Sequence, residues 1–374
     1  MNNVPARLAA ALSAATVSLY ISPFSTSPAN MPADDWYIDS LGIRAAHELS
    51  LGKSITVAVL DSGVGAHPDI DKNTLPGISY TPGENDGRSD ARGHGTAIAG
   101  IIAGTGAPPQ GILGIAPAAK ILPVKIFSSA ADSNSDNLAR GIMWAVDNGA
   151  QIINISAGGG PNPGVRSAVQ VALDNDLIVV ASVGNKPEAS IIQFPAYIDG
   201  VVAIGSTDRD GLVSNFSISG DRVALTAPGS EIRTTKPGAT YTIGTGTSAS
   251  AAIVSGVAAL VWSRYPELSA VEVVHRMTAT AVDKGAPGRD PEYGFGIVDP
   301  VAALTADVPP LAASAEPGRS EEAGPAEPNT MGQVAVVLVA VIASLLGVGL
   351  VVALLVFRLR GRRSDADISQ GDET

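Results

Sequence analysis

Residues 177–183 read LIVVASV, and this stretch decides the fold. It carries no charge and is apolar save for Ser182, the composition of a strand buried on both faces rather than one. Strands of that kind occur where helices cover both sides of a parallel sheet, so helical and strand-like runs should alternate around it. They do. Val165, Ala168, Val169 and Ala172 fall on one face of a preceding helix, and Leu138, Ile142, Ala145 and Val146 form an earlier stripe of the same period. Ile55 to Leu60, Ile121 to Phe127 and Gln151 to Ser156 read as strands before it, and Val201 to Ile204 and Val223 to Thr226 as strands after it. Thr96 to Ala103 reads as a buried helix, and Ser248 to Trp262 and Leu268 to Ala279 as two closing helices. The pattern predicts an α/β fold: a three-layer, mostly parallel sheet with helices on both faces. Sites in such folds gather at the carboxyl ends of the strands.

Composition narrows the function. The chain has 374 residues, 45% of them hydrophobic, which suits a well-cored protein. A net charge of −12 argues against nucleic-acid partners, which demand clustered Lys and Arg. There is no cysteine, which excludes disulfides, thiolate metal sites and a cysteine nucleophile.

The two ends give an address. Leu8 to Ile21 follow Arg7 as a short apolar run, and residues 1–30 read as a signal peptide, with an uncleaved anchor as the alternative. Residues 31–307 form the globular region, and 308–332 a linker rich in Pro, Ala and Glu that buries too little apolar surface to fold. Residues 333–357 include the uncharged run Val334 to Phe357, long enough for a transmembrane helix. Arg358, Arg360, Arg362 and Arg363 follow, so residues 358–374 are expected as a cytoplasmic tail and the globular region on the other side of the cell membrane.

Three glycine-bearing segments carry the chemistry: Val59-Leu60-Asp61-Ser62-Gly63, Gly93-His94-Gly95-Thr96 and Gly246-Thr247-Ser248-Ala249-Ser250. A serine hydroxyl needs a base to take its proton, imidazole suits that role near neutral pH, and a carboxylate fixes the imidazole tautomer. Ser248 is the candidate nucleophile, His94 the general base and then acid, and Asp61 the orienting carboxylate. The order Asp, His, Ser separates this arrangement from the α/β-hydrolase and chymotrypsin orders. Each segment alone is a common structural turn, and the conjunction is what speaks for catalysis. Asn185, at the end of the buried strand, offers a side-chain amide as oxyanion donor. His47, His67 and His275 lack such contexts and read as structural.

With these residues in place, the chain resembles the subtilisin-like serine proteases, or subtilases. Val64 to Ile70, Thr226-Ala227-Pro228-Gly229 and Tyr293-Gly294-Phe295-Gly296 add to the likeness. The resemblance implies that a peptide adds as an antiparallel strand along Ser156, Ala157 and Gly158. Within that family the layout is most like the mycosins, membrane-anchored proteases accompanying type VII secretion. It implies protein or peptide substrates, a membrane partner through the C-terminal helix and type VII secretion components as further partners. Trp36 and Leu41 are then expected to pack against the catalytic region as an N-terminal extension. The absence of cysteine, Ser250 in place of alanine and Ala252 in place of proline depart from the pattern.

If the segments 156–158 and 182–184 wall the first specificity pocket, Val183 makes it shallow and favours small or medium side chains. No cofactor or metal is expected. Glu84-Asn85-Asp86-Gly87 reads as a surface turn, with a calcium-ligand loop as the alternative. Two rival functions stay open: a general cell-surface protease, and a mainly structural component of a membrane secretion complex.

Overall fold

The computed structural model describes residues 35–106, 111–129 and 134–311. The signal peptide, nearly all of the linker, the transmembrane segment and the cytoplasmic tail lie outside the described residues. Among the described residues no helix is long and apolar enough to cross a membrane.

The chain runs α1 (Trp36–Ser40), α2 (Ile43–His47), β1 (Thr56–Asp61), β2 (Ile78–Ser79), α3 (His94–Ala103), β3 (Lys120–Lys125), α4 (Ser135–Asp147), β4 (Ile152–Ile155) and α5 (Pro163–Asp174). It continues through β5 (Ile178–Ser182), β6 (Val202–Thr207), β7 (Val223–Pro228), β8 (Ile232–Lys236), β9 (Thr240–Gly244), α6 (Thr247–Arg264), α7 (Ala270–Ala279) and α8 (Pro300–Thr305). Among the described residues β1 to β7 form one sheet in the order β2-β3-β1-β4-β5-β6-β7, every neighbouring pair parallel. The α/β expectation therefore holds, with strand ends moved by one to three residues.

Alternation along the strands shows why both faces are apolar. Val57 and Val59 of β1 enter one core with Ile98 and Ile101 of α3, Val257 and Leu260 of α6, and Val273 of α7. Ala58 and Leu60 enter the other with Leu138 and Ile142 of α4 and Val165 and Val169 of α5. In β5, Ile178 and Val180 go one way, and Val179 and Ala181 the other. At about 1.5–3 kcal/mol for each Val, Leu or Ile buried, two-sided burial holds the sheet together in a chain without a disulfide. Helix α6 runs through the larger core, with every residue from Thr247 to Trp262 buried.

The hairpin β8–β9 escaped the sequence reading, as did β2 and α8. The hairpin β8–β9 is rich in threonine and has no apolar alternation because its hydroxyls do the packing. Thr234 donates to Ala97 O at 2.6 Å and Thr235 to Thr96 O at 2.7 Å, clamping the first turns of α3. The short helices α1 and α2 are the expected extension: Trp36 and Leu41 join the larger core, and Tyr37 donates to Arg233 O of β8.

The sheet order reverses at β1, whose neighbours are β3 on one side and β4 on the other. A crevice at the carboxyl ends of these strands is where such a sheet places a ligand. Asp61 closes β1 there.

Candidate active site

Asp61 is fully buried, and both its carboxylate oxygens lie 2.8 Å from His94 Nδ1. Its Oδ1 also accepts the Ser62 N–H at 2.7 Å. His94 is the first residue of α3, behind Gly93 in the left-handed conformation. Gly95 must be small: a Cβ there would lie 3.1 Å from Asp61 Cβ and collide with the Gly63 carbonyl. The sequence places an Asp at a strand end and a His at a helix start, and the fold joins them.

A second buried carboxylate supports this pair, and the sequence reading missed it. Asp90 accepts the N–H groups of Arg92 (3.2 Å), Gly93 (2.8 Å) and Thr96 (2.9 Å), and the Thr96 hydroxyl at 2.6 Å. The Ser62 hydroxyl lies 2.8 Å from Asp90 and 3.2 Å from Asp61, and itself accepts the Gly95 N–H at 3.1 Å. Asp90 thus folds the loop that delivers His94. Burial holds its carboxyl above the usual carboxylate range, opposed by the hydrogen bonds from Thr96 and Ser62 and reinforced by the Asp61 charge. Its signal in the sequence was only its position four residues before His94.

Ser248 lies in the first turn of α6. Its Oγ donates to Ser156 O at 3.2 Å, and Ser156 Oγ returns a bond to Ser248 O at 3.3 Å. Behind them, Asn154 Nδ2 donates to Ser156 Oγ and Ser255 Oγ to Asn154 Oδ1, each at 3.0 Å. This buried relay ties β4 to α6, so the serine stands on the two elements that pack the centre of the molecule. The N-cap residues of α3 and α6 are Gly93 and Gly246, so side chains from elsewhere take the first N–H groups: Ser62 and Asp90 those of Gly95 and Thr96 in α3, and Asn185 that of Thr247 in α6. In the first turn of α6 the Ala249 N–H goes back to Gly246 O at 3.1 Å, and the helix dipole adds partial positive charge beside the Ser248 N–H.

Asn185 Oδ1 accepts both the N–H (2.9 Å) and the hydroxyl (3.0 Å) of Thr247. That fixes which end of the amide is which: the oxygen is spent on α6, and the NH2 group is left to donate. A Cβ on Gly246 would lie 3.2 Å from this Nδ2, so the chain beside Ser248 passes close to the donor.

The segment Ser156, Ala157, Gly158 follows β4 and continues to Gly159, which pairs in both directions with Phe194 at 3.0 Å. Val183 is fully buried in the smaller core, in the cluster that also holds Ala157 and Phe194.

The remaining candidates fall into place. Glu84 is held by Lys125 Nζ at 2.5 Å and by the Ser89 hydroxyl, and Asp86 caps the Arg88 N–H at 3.1 Å, so both carboxylates of that loop have protein partners. Among the described residues no group of three or more His, Asp or Glu could hold a metal ion. His47, His67 and His275 contact the carbonyls of Ile115, Thr240 and Pro309. Ser250 spends its hydroxyl on Pro228 O, and Ala252 is buried within α6.

A buried Asp–His pair at a strand end, and a serine at the start of a buried helix, lie within residues 52–296, which match the model of the subtilase family. The chain belongs to the subtilase family. It is a subtilisin-like serine protease. Subtilisin Savinase of Lederbergia lenta is 36% identical over 270 residues, covering 72% of this chain and 97% of that protein. Among solved structures, a serine protease described as MycP1, an essential component of the type VII (ESX-1) secretion system, is 33% identical with a TM-score of 0.70. That match covers 78% of this chain and 93% of the other. A chain of the periplasmic assembly from the ESX-5 inner membrane complex is 29% identical with a TM-score of 0.69, covering 84% and 94%. The fold is therefore similar to that of MycP1, a protease of type VII secretion.

Proposed function

We propose that this subtilase is an exported, membrane-tethered endopeptidase that cuts other proteins through Asp61, His94 and Ser248. The observation that carries the reading is the buried Asp61 carboxylate set 2.8 Å from His94 Nδ1 by both oxygens. Such a carboxylate keeps the proton on Nδ1 and leaves Nε2 as the base.

A substrate strand lies along Ser156–Gly158. Ser248 Oγ attacks the scissile carbonyl carbon as His94 Nε2 takes the hydroxyl proton. The carbonyl oxygen becomes an oxyanion that receives the Asn185 NH2 and the Ser248 N–H. His94 then gives its proton to the departing amine, the C–N bond breaks and an acyl-serine remains. Water attacks that ester with His94 again as base, and Ser248 is released with its proton restored. No cofactor enters the reaction.

The place of work is read from the ends of the chain. The uncharged segment Val334 to Phe357 with four arginines just after it supports a single span with the C-terminus in the cytoplasm. The likeness to MycP1 and to a chain of an ESX-5 inner membrane complex supports limited proteolysis beside a type VII secretion apparatus.

The test compares the full chain with its Ser248→Ala variant in detergent on a casein substrate. Hydrolysis by the wild type and none above background by the variant is the expected result. Equal hydrolysis by both would remove Ser248 from the mechanism.

A further inference from the structure

Resting on the assignment of Asp61, His94 and Ser248 above, we propose that Lys125 is a positioning residue for the reaction. Its buried ammonium pins the loop 84–90 and so holds His94 against Asp61. Lys125 ends β3 and is the register partner of Asp61 on β1, so the two stand side by side at the carboxyl end of the sheet. Its side chain is 1% exposed. The ammonium donates to Glu84 Oε2 at 2.5 Å, to Ser89 Oγ at 3.0 Å and to Ser89 O at 3.1 Å. The Ser89 hydroxyl in turn donates to Glu84 Oε2, which closes a triangle of side chains. All the acceptors of the ammonium therefore belong to one loop.

That loop leads straight to the catalytic pair. Asp90 follows Ser89 in the chain and takes the N–H groups of Gly93 and Thr96, on either side of His94. It also receives the hydroxyl of Ser62, the residue after Asp61. The loop lies against the chain that leaves β1. Val64 N–H donates to Gly87 O at 2.8 Å, and a Cβ on Gly63 would lie 2.1 Å from Ser89 O. A shift of Ser89 is thus passed to Asp90, and from Asp90 to the first turn of α3.

Burying an ammonium is costly, and an apolar side chain of like size in its place is often as good for stability or better. What the ammonium supplies and an apolar chain cannot is three donors. These set where Glu84 and Ser89 lie. Lys125 acts through them and does not itself touch the reacting atoms.

The experiment compares kcat, KM and melting temperature of the full chain in detergent on an internally quenched casein peptide, well below every melting point. The proteins are wild type, Lys125→Met, Glu84→Ala and Glu84→Gln. Leu122→Ala, on the same strand but in the smaller core, is the control for lost stability alone. Lys125→Met should lower kcat by about tenfold to 10²-fold with little change in KM, since a misplacement of about 1 Å caused from a distance can cost about 10²-fold. Glu84→Ala should lose kcat in the same way, and Glu84→Gln, which keeps an oxygen for the ammonium, should recover most of it. The Glu84 side chain is 35% exposed, so its variants carry the test even where Lys125→Met does not fold. Leu122→Ala should melt lower and keep the wild-type kcat. An unchanged kcat in Lys125→Met or Glu84→Ala, no recovery in Glu84→Gln, or an equal loss of kcat in Leu122→Ala overturns the proposal. Hydrolysis that survives Ser248→Ala instead overturns the reading of the site on which it rests.

Discussion

An Asp61→Asn variant is expected to lose about 10⁴ in kcat while its melting temperature stays within a few degrees of wild type. That is the size of effect seen when the carboxylate of other Ser-His-Asp enzymes is neutralised, subtilisin among them. It corresponds to about 5.5 kcal/mol of transition-state stabilisation. The physical cause is tautomeric. Asp61 offers two acceptor oxygens to His94 Nδ1 and receives Ser62 N–H as well, so every group facing it is a donor. Asparagine has one acceptor and one donor end. Its oxygen satisfies Ser62, and its NH2 then meets Nδ1, which must lose its proton to accept. The imidazole proton moves to Nε2, and the base that Ser248 needs is gone. Steady-state kinetics on a peptide substrate with a thermal melt of each protein checks this, and a loss below about 100-fold would contradict the orienting role.

The second large effect is at Asn185. Asn185→Ala should lower kcat by about 10²–10³ with a small change in KM, the range measured on subtilisin for one oxyanion donor. Alanine also removes the acceptor that holds Thr247 N–H and Oγ1, so lost activity alone would not separate a donor from a brace for α6. Asn185→Asp separates them. It keeps an oxygen for Thr247 and replaces the NH2 with an anion facing the developing oxyanion. If Asn185 is a donor, the Asp variant melts close to wild type and loses at least as much kcat as the Ala variant. A recovery of kcat in the Asp variant would reduce Asn185 to a brace.

How much of this was legible in the sequence follows from what each residue does. Asp61, His94 and Ser248 could be proposed from the sequence because the catalysis proposed for them would fix the residue types, and close packing fixes a glycine beside them, as at Gly95. The parallel sheet could be read because both faces of β5 are buried, which leaves an apolar run with no alternation. Asp90 could not. Three of its partners are backbone N–H groups, of Arg92, Gly93 and Thr96, which any residue supplies except proline, and the other two are the common hydroxyls of Ser62 and Thr96, so no pattern of side chains announces it. The β8–β9 hairpin stayed hidden because Thr234 and Thr235 are buried by hydrogen bonding to α3 rather than by apolar contact.

The measurement that tests the central claim most directly is the location of the covalent adduct after treating the full chain with a fluorophosphonate, read by mass spectrometry of its peptides. The account predicts stoichiometric modification on Ser248, abolished when Asp61 is asparagine and absent from every other serine. Modification of a different serine, or labelling of Ser248 undiminished in Asp61→Asn, would contradict the assignment of Asp61, His94 and Ser248 as one catalytic unit.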